Sequence, residues 1–204
     1  LRGRYWDAFE WYERLLQRFP NGQYASRALE KEYEIGNAFV EGRKRIVLGF
    51  VPMPASGDGL SILRRIPTHA PGSDIAEKAL LRIGDYHYHE QEYTEAAAAY
   101  DTFLESFRRS DRAGYAMLQA ARATYASFHG VPYDPIPLLD ARQRFEEFAE
   151  GYPEAARQAN VDAILERIEQ TLAQKDLETA RFYGRTGRPE AELFYYRAVI
   201  REHP

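Results

Sequence analysis

The chain has 204 residues, 45% of them hydrophobic, a formal net charge of -4 and no Cys. That balance excludes general disorder, an overall basic field suited to nucleic acid, disulfides and thiolate metal sites. No apolar run approaches the roughly 18 residues of a membrane-spanning helix. No signal peptide is visible and the first residue is not Met, so a processed or trimmed chain is expected.

Taken in order, periodic segments alternate with Pro- and Gly-bearing breaks. The segment from Ala8 to Pro20 (AFEWYERLLQRFP) has helical spacing and closes on Pro. Tyr33, Gly36, Asn37 and Val40 follow at helical spacing. Arg43 to Asp58 (RKRIVLGFVPMPASGD) reads as a long loop between the helices of one pair, with no β-hairpin signal. Its basic triplet Arg43-Lys44-Arg45 reads as a solvated helix end complementing the dipole. Leu63 to Ile66 leads to Pro71, and Tyr100 to Leu104 leads to Arg108. Ser127 to Leu138 (SFHGVPYDPIPL) is a second long loop, and Phe145 leads to Pro153. Ala155 to Tyr183 has no Pro or Gly and reads as one long helix, bent near Lys175. Gly184 to Pro189 ends it. Pro189 then opens the last helix at a favourable first-turn site, and that helix closes on Pro204.

The stretch from Glu77 to Arg108 shows the organising pattern most clearly. Leu80, Ile83, Gly84 and His87 fall on one helical face. Ala96, Tyr100, Phe103 and Phe107 fall on another, and a polar turn, residues 89–92, separates the two. A small residue in the first helix lets two backbones approach, with an aromatic wedged between them. This resembles the tetratricopeptide repeat, a helix-turn-helix unit of about 34 residues. The closing positions 20, 71, 108, 153 and 204 are each more than one plain repeat apart. The expectation is one all-α domain over 1–204, a right-handed superhelical solenoid of about four and a half to five helix pairs.

Chemical motifs are sparse. His87 and His89 are two residues apart and fall on different helix faces. His69, His129 and His203 complete the set of five His. There is no phosphate-binding Gly loop and no G-x-S-x-G, and no convergent titratable set is visible. The chain is expected to be no enzyme and to carry no cofactor and no metal.

In tetratricopeptide repeats the first helices line a concave surface. With Gly36, Gly84 and Ala121 taken as equivalent small positions, helical spacing gives a peptide-binding set. It comprises Tyr33, Asn37, Lys78, Arg82, Asp85, Tyr88, Tyr115, Arg122 and Tyr125. Tyr offers large contact area at low entropic cost, plus a hydroxyl. Lys78 and Arg82, with Asn37, resemble part of a carboxylate clamp, although the clamp's first Lys position is Tyr33 here.

The whole chain resembles the BamD (YfiO/ComL) family of outer-membrane assembly lipoproteins. The residues that carry the likeness are Tyr5-Trp6-Asp7-Ala8 to Phe19-Pro20-Asn21-Gly22, then Tyr133-Asp134-Pro135 with Ala141-Arg142 and Phe145. Gly151-Tyr152-Pro153 before a long helix and the final ARFYGRTGRPEAELFYYRAVIREHP complete it. The resemblance implies a periplasmic scaffold at the outer membrane, with no catalysis and no nucleic acid. Its partners would be unfolded outer-membrane proteins and the barrel-inserting subunit. The groove residues would face substrate, and Arg181, Arg185, Arg188 and Arg197 would form the docking side. A lipid anchor on Cys would lie outside this chain. The competing expectation is a general tetratricopeptide peptide-binding adaptor of the cell envelope or cytosol.

Overall fold

The computed structural model describes residues 4–48 and 50–202. The closing Pro204, His203, and Gly49 of the 43–58 segment lie outside the described residues. The fold is an all-α repeat with one short hairpin among the described residues, and it divides into two compact units, Leu1–Ala116 and Met117–Pro204.

The first unit holds α1 (Tyr5–Arg18), α2 (Ala25–Val40), β1 (Arg45–Val47), β2 (Val51–Met53), α3 (Ser56–His69), α4 (Asp74–His89) and α5 (Tyr93–Ser106). The first turn of α6 (Ala113–Ala126) also belongs to it. Each helix packs on the next in sequence from α1 to α5. Helix α4 shows why these boundaries arise. The Ser73 hydroxyl accepts a hydrogen bond from the Ala76 N–H at 3.3 Å, capping an otherwise unsatisfied donor. Asp74 and Glu77 then sit in the first turn, where the helix dipole favours negative charge. Gln91, at φ 63°, turns the chain from α4 into α5.

Close backbone approach sets the packing. A Cβ on Gly84 would lie 2.6 Å from Cε1 of Tyr100, so only Gly leaves room for that ring. Tyr100 is 1% exposed and Phe103 is fully buried beside it. The α2–α3 pair meets in a related way, since a Cβ on Gly59 would lie 2.7 Å from the Gly36 carbonyl oxygen. The core of this pair is built from Ile35, Phe39, Ile62 and Leu63.

The structure corrects two sequence expectations in this unit. The 43–58 segment contains an antiparallel hairpin, with Arg45 opposite Met53 and Val47 opposite Val51. β-Branched Ile46, Val47 and Val51 favour extended backbone, and Pro52 is tolerated because the two strands have no further neighbour. The hairpin lacks an Asn-Gly turn and instead uses Leu48 at φ 53°, which removes the usual signal. The basic triplet does not cap α2, which stops at Val40. Arg43 lies over the Tyr5 ring at 4.5 Å and Arg45 over the Trp6 ring at 3.6 Å. Arg45 also pairs with Asp58 at 3.2 Å, so two of the three cations tie the hairpin to α1 and α3.

The second unit holds the rest of α6, then α7 (Ile136–Gly151), α8 (Pro153–Gln158), α9 (Val161–Arg185) and α10 (Pro189–Glu202). Its core is Ala121, Leu138, Phe145, Phe148, Val161 and Ile168, and α10 packs along α9. The expected single helix from Ala155 to Tyr183 is in fact two. Asn160 adopts the left-handed conformation at φ 53° and separates α8 from α9. Asn is one of the few side chains that tolerates this conformation, so the break needs neither Gly nor Pro. Helix α9 is then continuous through Lys175.

Gly84→Leu should strongly destabilise the chain, because a branched side chain would collide with the Tyr100 ring. Tyr100→Ala should cost roughly 3–5 kcal/mol by cavity formation. Thermal or urea melts of both variants check the pairing, and unchanged melts would contradict it.

Candidate protein-interaction faces

In the first unit, side chains from α2, α4, α5 and α6 meet in one polar neighbourhood built from two sets of hydrogen bonds. Asp85 on α4 is the centre of the first set. One carboxylate oxygen accepts from the Tyr100 hydroxyl at 2.8 Å and from the Tyr115 hydroxyl at 2.7 Å. The two Tyr rings meet edge-on, with centroids 6.4 Å apart. Burial, followed by the Asp85 hydrogen bond, holds the Tyr100 hydroxyl well above the usual phenol range. Tyr100 is therefore a fixed donor that orients Asp85.

Arg82, almost one turn before Asp85, donates from Nε to the Asn37 side-chain oxygen on α2. The Asn37 amide in turn donates to Glu41 at 2.8 Å. Tyr33, one turn before Asn37, is half-buried. Burial raises its hydroxyl pKa first, with Arg82, Asp85, Arg112 and Glu41 as the charges around it. Tyr33, Asn37, Arg82, Asp85 and Tyr115 thus share one neighbourhood. Tyr88 is half-buried against the edge of Tyr93, with centroids 5.6 Å apart. Lys78 is exposed and lines an open cleft of about 820 Å³ formed with the α5–α6 turn, where Ser110 donates to Glu77. His87 is buried and held by Glu92 at 2.6 Å, whereas His89 is exposed, so the two do not share a site.

In the second unit, Arg122 and Tyr125 are half-buried. Tyr125 packs edge-on to Phe145 at 6.5 Å and so serves the core with one face. Arg181, Arg185, Arg188 and Arg197 are all exposed on or between α9 and α10. Arg181 and Arg185 line an open cleft of about 580 Å³ with Val131, Pro132 and Phe182. Lys175 fixes one wall of it by donating to the carbonyls of Val131, at 2.9 Å, and Tyr133.

Sequence reasoning missed the apolar part of this surface. Phe182 is 51% exposed, Leu193 49%, Phe194 61% and Ile200 76%. They stand on the same two helices as the arginines. Several large apolar side chains left in water on one helix pair point to an interaction site more than a solitary one does. Arg beside aromatic residues is also the composition enriched in protein interfaces. The available signal was α10 itself (ELFYYRAVI), which is apolar on more than one face.

A family model described as YfiO, outer membrane lipoprotein, matches residues 58–204. The chain belongs to this family. Two curated relatives carry the name outer membrane protein assembly factor BamD. The Caulobacter vibrioides protein is 22% identical over 146 residues, covering 72% of this chain and 48% of the relative. The Haemophilus influenzae protein is 25% identical over 138 residues, covering 63% of this chain and 53% of the relative. The chain thus spans about half the length of these relatives. In this YfiO-family chain the match contains α4 to α10, with Arg82, Asp85, Tyr115 and the exposed arginines. Tyr33, Asn37 and the hairpin precede it. No helix among the described residues is long and apolar enough to cross a membrane.

The Asp85 network gives an ordered expectation. Tyr115→Phe removes one hydrogen bond at a half-open position and should cost about 1 kcal/mol. Asp85→Ala should cost more, about 2–3 kcal/mol, because it orphans the buried Tyr100 hydroxyl. Urea denaturation of the two variants tests the order, and equal costs would contradict it.

Proposed function

We propose that this chain is a non-catalytic interaction scaffold for assembling β-barrel proteins at the periplasmic face of the outer membrane. Family membership and the two relatives named as assembly factors support the process. The observation that carries the scaffold role is the exposure of Phe182, Leu193, Phe194 and Ile200 on α9 and α10, with Arg181, Arg185, Arg188 and Arg197 exposed on or between the same helices. Such a surface suits a protein partner with apolar and acidic patches. In this reading it docks on the barrel-inserting subunit.

The first unit then handles substrate. Tyr33, Asn37, Lys78, Arg82, Asp85, Tyr88 and Tyr115 offer aromatic area and hydrogen-bonding groups of both signs to an extended segment of an unfolded outer-membrane protein. Tyr100 and Asn37 hold Asp85 and Arg82 in place, so little ordering cost falls on binding. On the second unit by itself, Arg122 and Tyr125 are half-buried groups of the same kind that would offer substrate a further contact. A lipid anchor, in this reading, is carried outside these 204 residues.

A capture experiment from envelope extract tests the docking role. The wild-type chain should retain a large outer-membrane β-barrel protein, identified by mass spectrometry. Arg185→Glu combined with Arg188→Glu should reduce capture at least tenfold, since each reversal replaces an attraction by a repulsion. Equal capture by the wild type and the double variant would overturn the assignment of the arginines.

A further inference from the structure

The three helices at the start of the chain bury a cluster that interaction with proteins does not use. Glu13 on α1, Glu32 on α2 and His69 at the end of α3 each bring a ligand-type atom into one small region. Those three atoms lie within 4.8 Å of one another. Glu32 is 0% exposed, and neither of its carboxylate oxygens has a hydrogen-bond partner among the described residues. A buried carboxyl with both oxygens orphaned is costly, and this one stands beside a second carboxylate. Desolvation first, then repulsion from Glu13, pushes the Glu32 carboxyl up to about 8, while Arg65 acts in the opposite direction.

We propose that Glu13, Glu32 and His69 form a binding site for one divalent transition-metal cation of the Zn²⁺ type. The donor set selects the class. One imidazole nitrogen with two carboxylates suits Zn²⁺, whereas Ca²⁺ takes six to eight oxygens and Mg²⁺ keeps most of its waters. Tetrahedral coordination needs donor atoms about 3.3 Å apart, against a present spacing within 4.8 Å. The pair to be opened is His69 Nε2 and Glu13 Oε2, now 3.1 Å apart. A cation between them would accept the lone pair of neutral His69 and one oxygen from each Glu, leaving a fourth position for water.

Neighbouring side chains already hold Glu13 in place. Glu13 Oε1, the oxygen not facing His69, accepts from Gln17 Nε2 at 2.8 Å and from Arg65 Nη1 at 3.0 Å. Such supporting bonds orient a ligand carboxylate and usually accompany real metal sites. Glu32 would release its proton to solvent on binding, and one of its two orphaned oxygens would gain the cation as a partner. The side chains of His69 and Arg65 are 20% and 51% exposed, which gives an approach from solvent. The site ties together α1, α2 and α3, so the cation would staple the start of the repeat. This inference is independent of the assembly role.

Isothermal titration of the chelator-stripped 204-residue chain with ZnCl₂ tests it, with MgCl₂ as comparison. The expected result is saturable binding of one Zn²⁺ per chain, no heat from Mg²⁺ at the same concentration, and a Zn²⁺-dependent rise in melting temperature. Glu32→Gln is nearly isosteric and should weaken Zn²⁺ binding at least tenfold. His69→Ala, at a helix end, should do the same and covers the case in which Glu32→Gln fails to fold. His89→Ala, an exposed control, should bind as the wild type does. Absence of saturable Zn²⁺ binding, or undiminished binding in folded Glu32→Gln or His69→Ala, would overturn the site.

Discussion

The contact between Gly84 and the Tyr100 ring is the constraint on which most of the first unit depends. Its geometry admits no side chain at position 84, so the two helices of that pair can pack in one register only. The same ring carries its hydroxyl to Asp85, and Asp85 collects Tyr115 from the next helix. A packing requirement in the core thereby fixes the direction of a carboxylate at the edge of the interaction face. Sequence, packing and recognition are linked here through a single side chain. The α2–α3 pair repeats the principle with Gly36 against Gly59, where backbone meets backbone instead of ring.

The second unit solves a different problem. Asn160 breaks the chain in the left-handed conformation, and α9 then runs 25 residues as a platform for α10. The pair leaves large apolar side chains in water beside arginines. Exposed large apolar side chains on a helix pair that also carries exposed arginines have the composition of a protein interface. That composition is the physical basis for assigning docking to this surface.

Much of the helix pattern was legible because Pro, Gly and apolar spacing act locally. The 77–108 pair could be read from Gly84, Tyr100 and the polar turn alone. The hairpin could not, because Leu48 replaces the expected turn residues and Pro52 argues against a strand. The α8–α9 break was hidden for a similar reason, since Asn160 is a polar residue that reads as helix surface. At the candidate faces, helical spacing picks out Tyr33, Asn37, Arg82, Asp85 and Tyr115, but the bonds from Arg82 to Asn37 and from Tyr100 and Tyr115 to Asp85 arise only when separate helices pack. Phe182, Leu193, Phe194 and Ile200 escaped notice because apolar residues in an amphipathic helix are first assigned to the core. The Glu13–Glu32–His69 cluster was invisible for a further reason: residues 13, 32 and 69 meet only after three helices pack.

The most direct test of the account is photocrosslinking in cells. A photoreactive amino acid at Phe194, on the exposed face of α10, should give an adduct with a large outer-membrane β-barrel protein. The same group at Trp11, exposed on α1 of the other unit, should give no such adduct. Adducts from Phe194 confined to soluble proteins, or the same barrel adduct from both positions, would contradict the docking role of the α9–α10 surface.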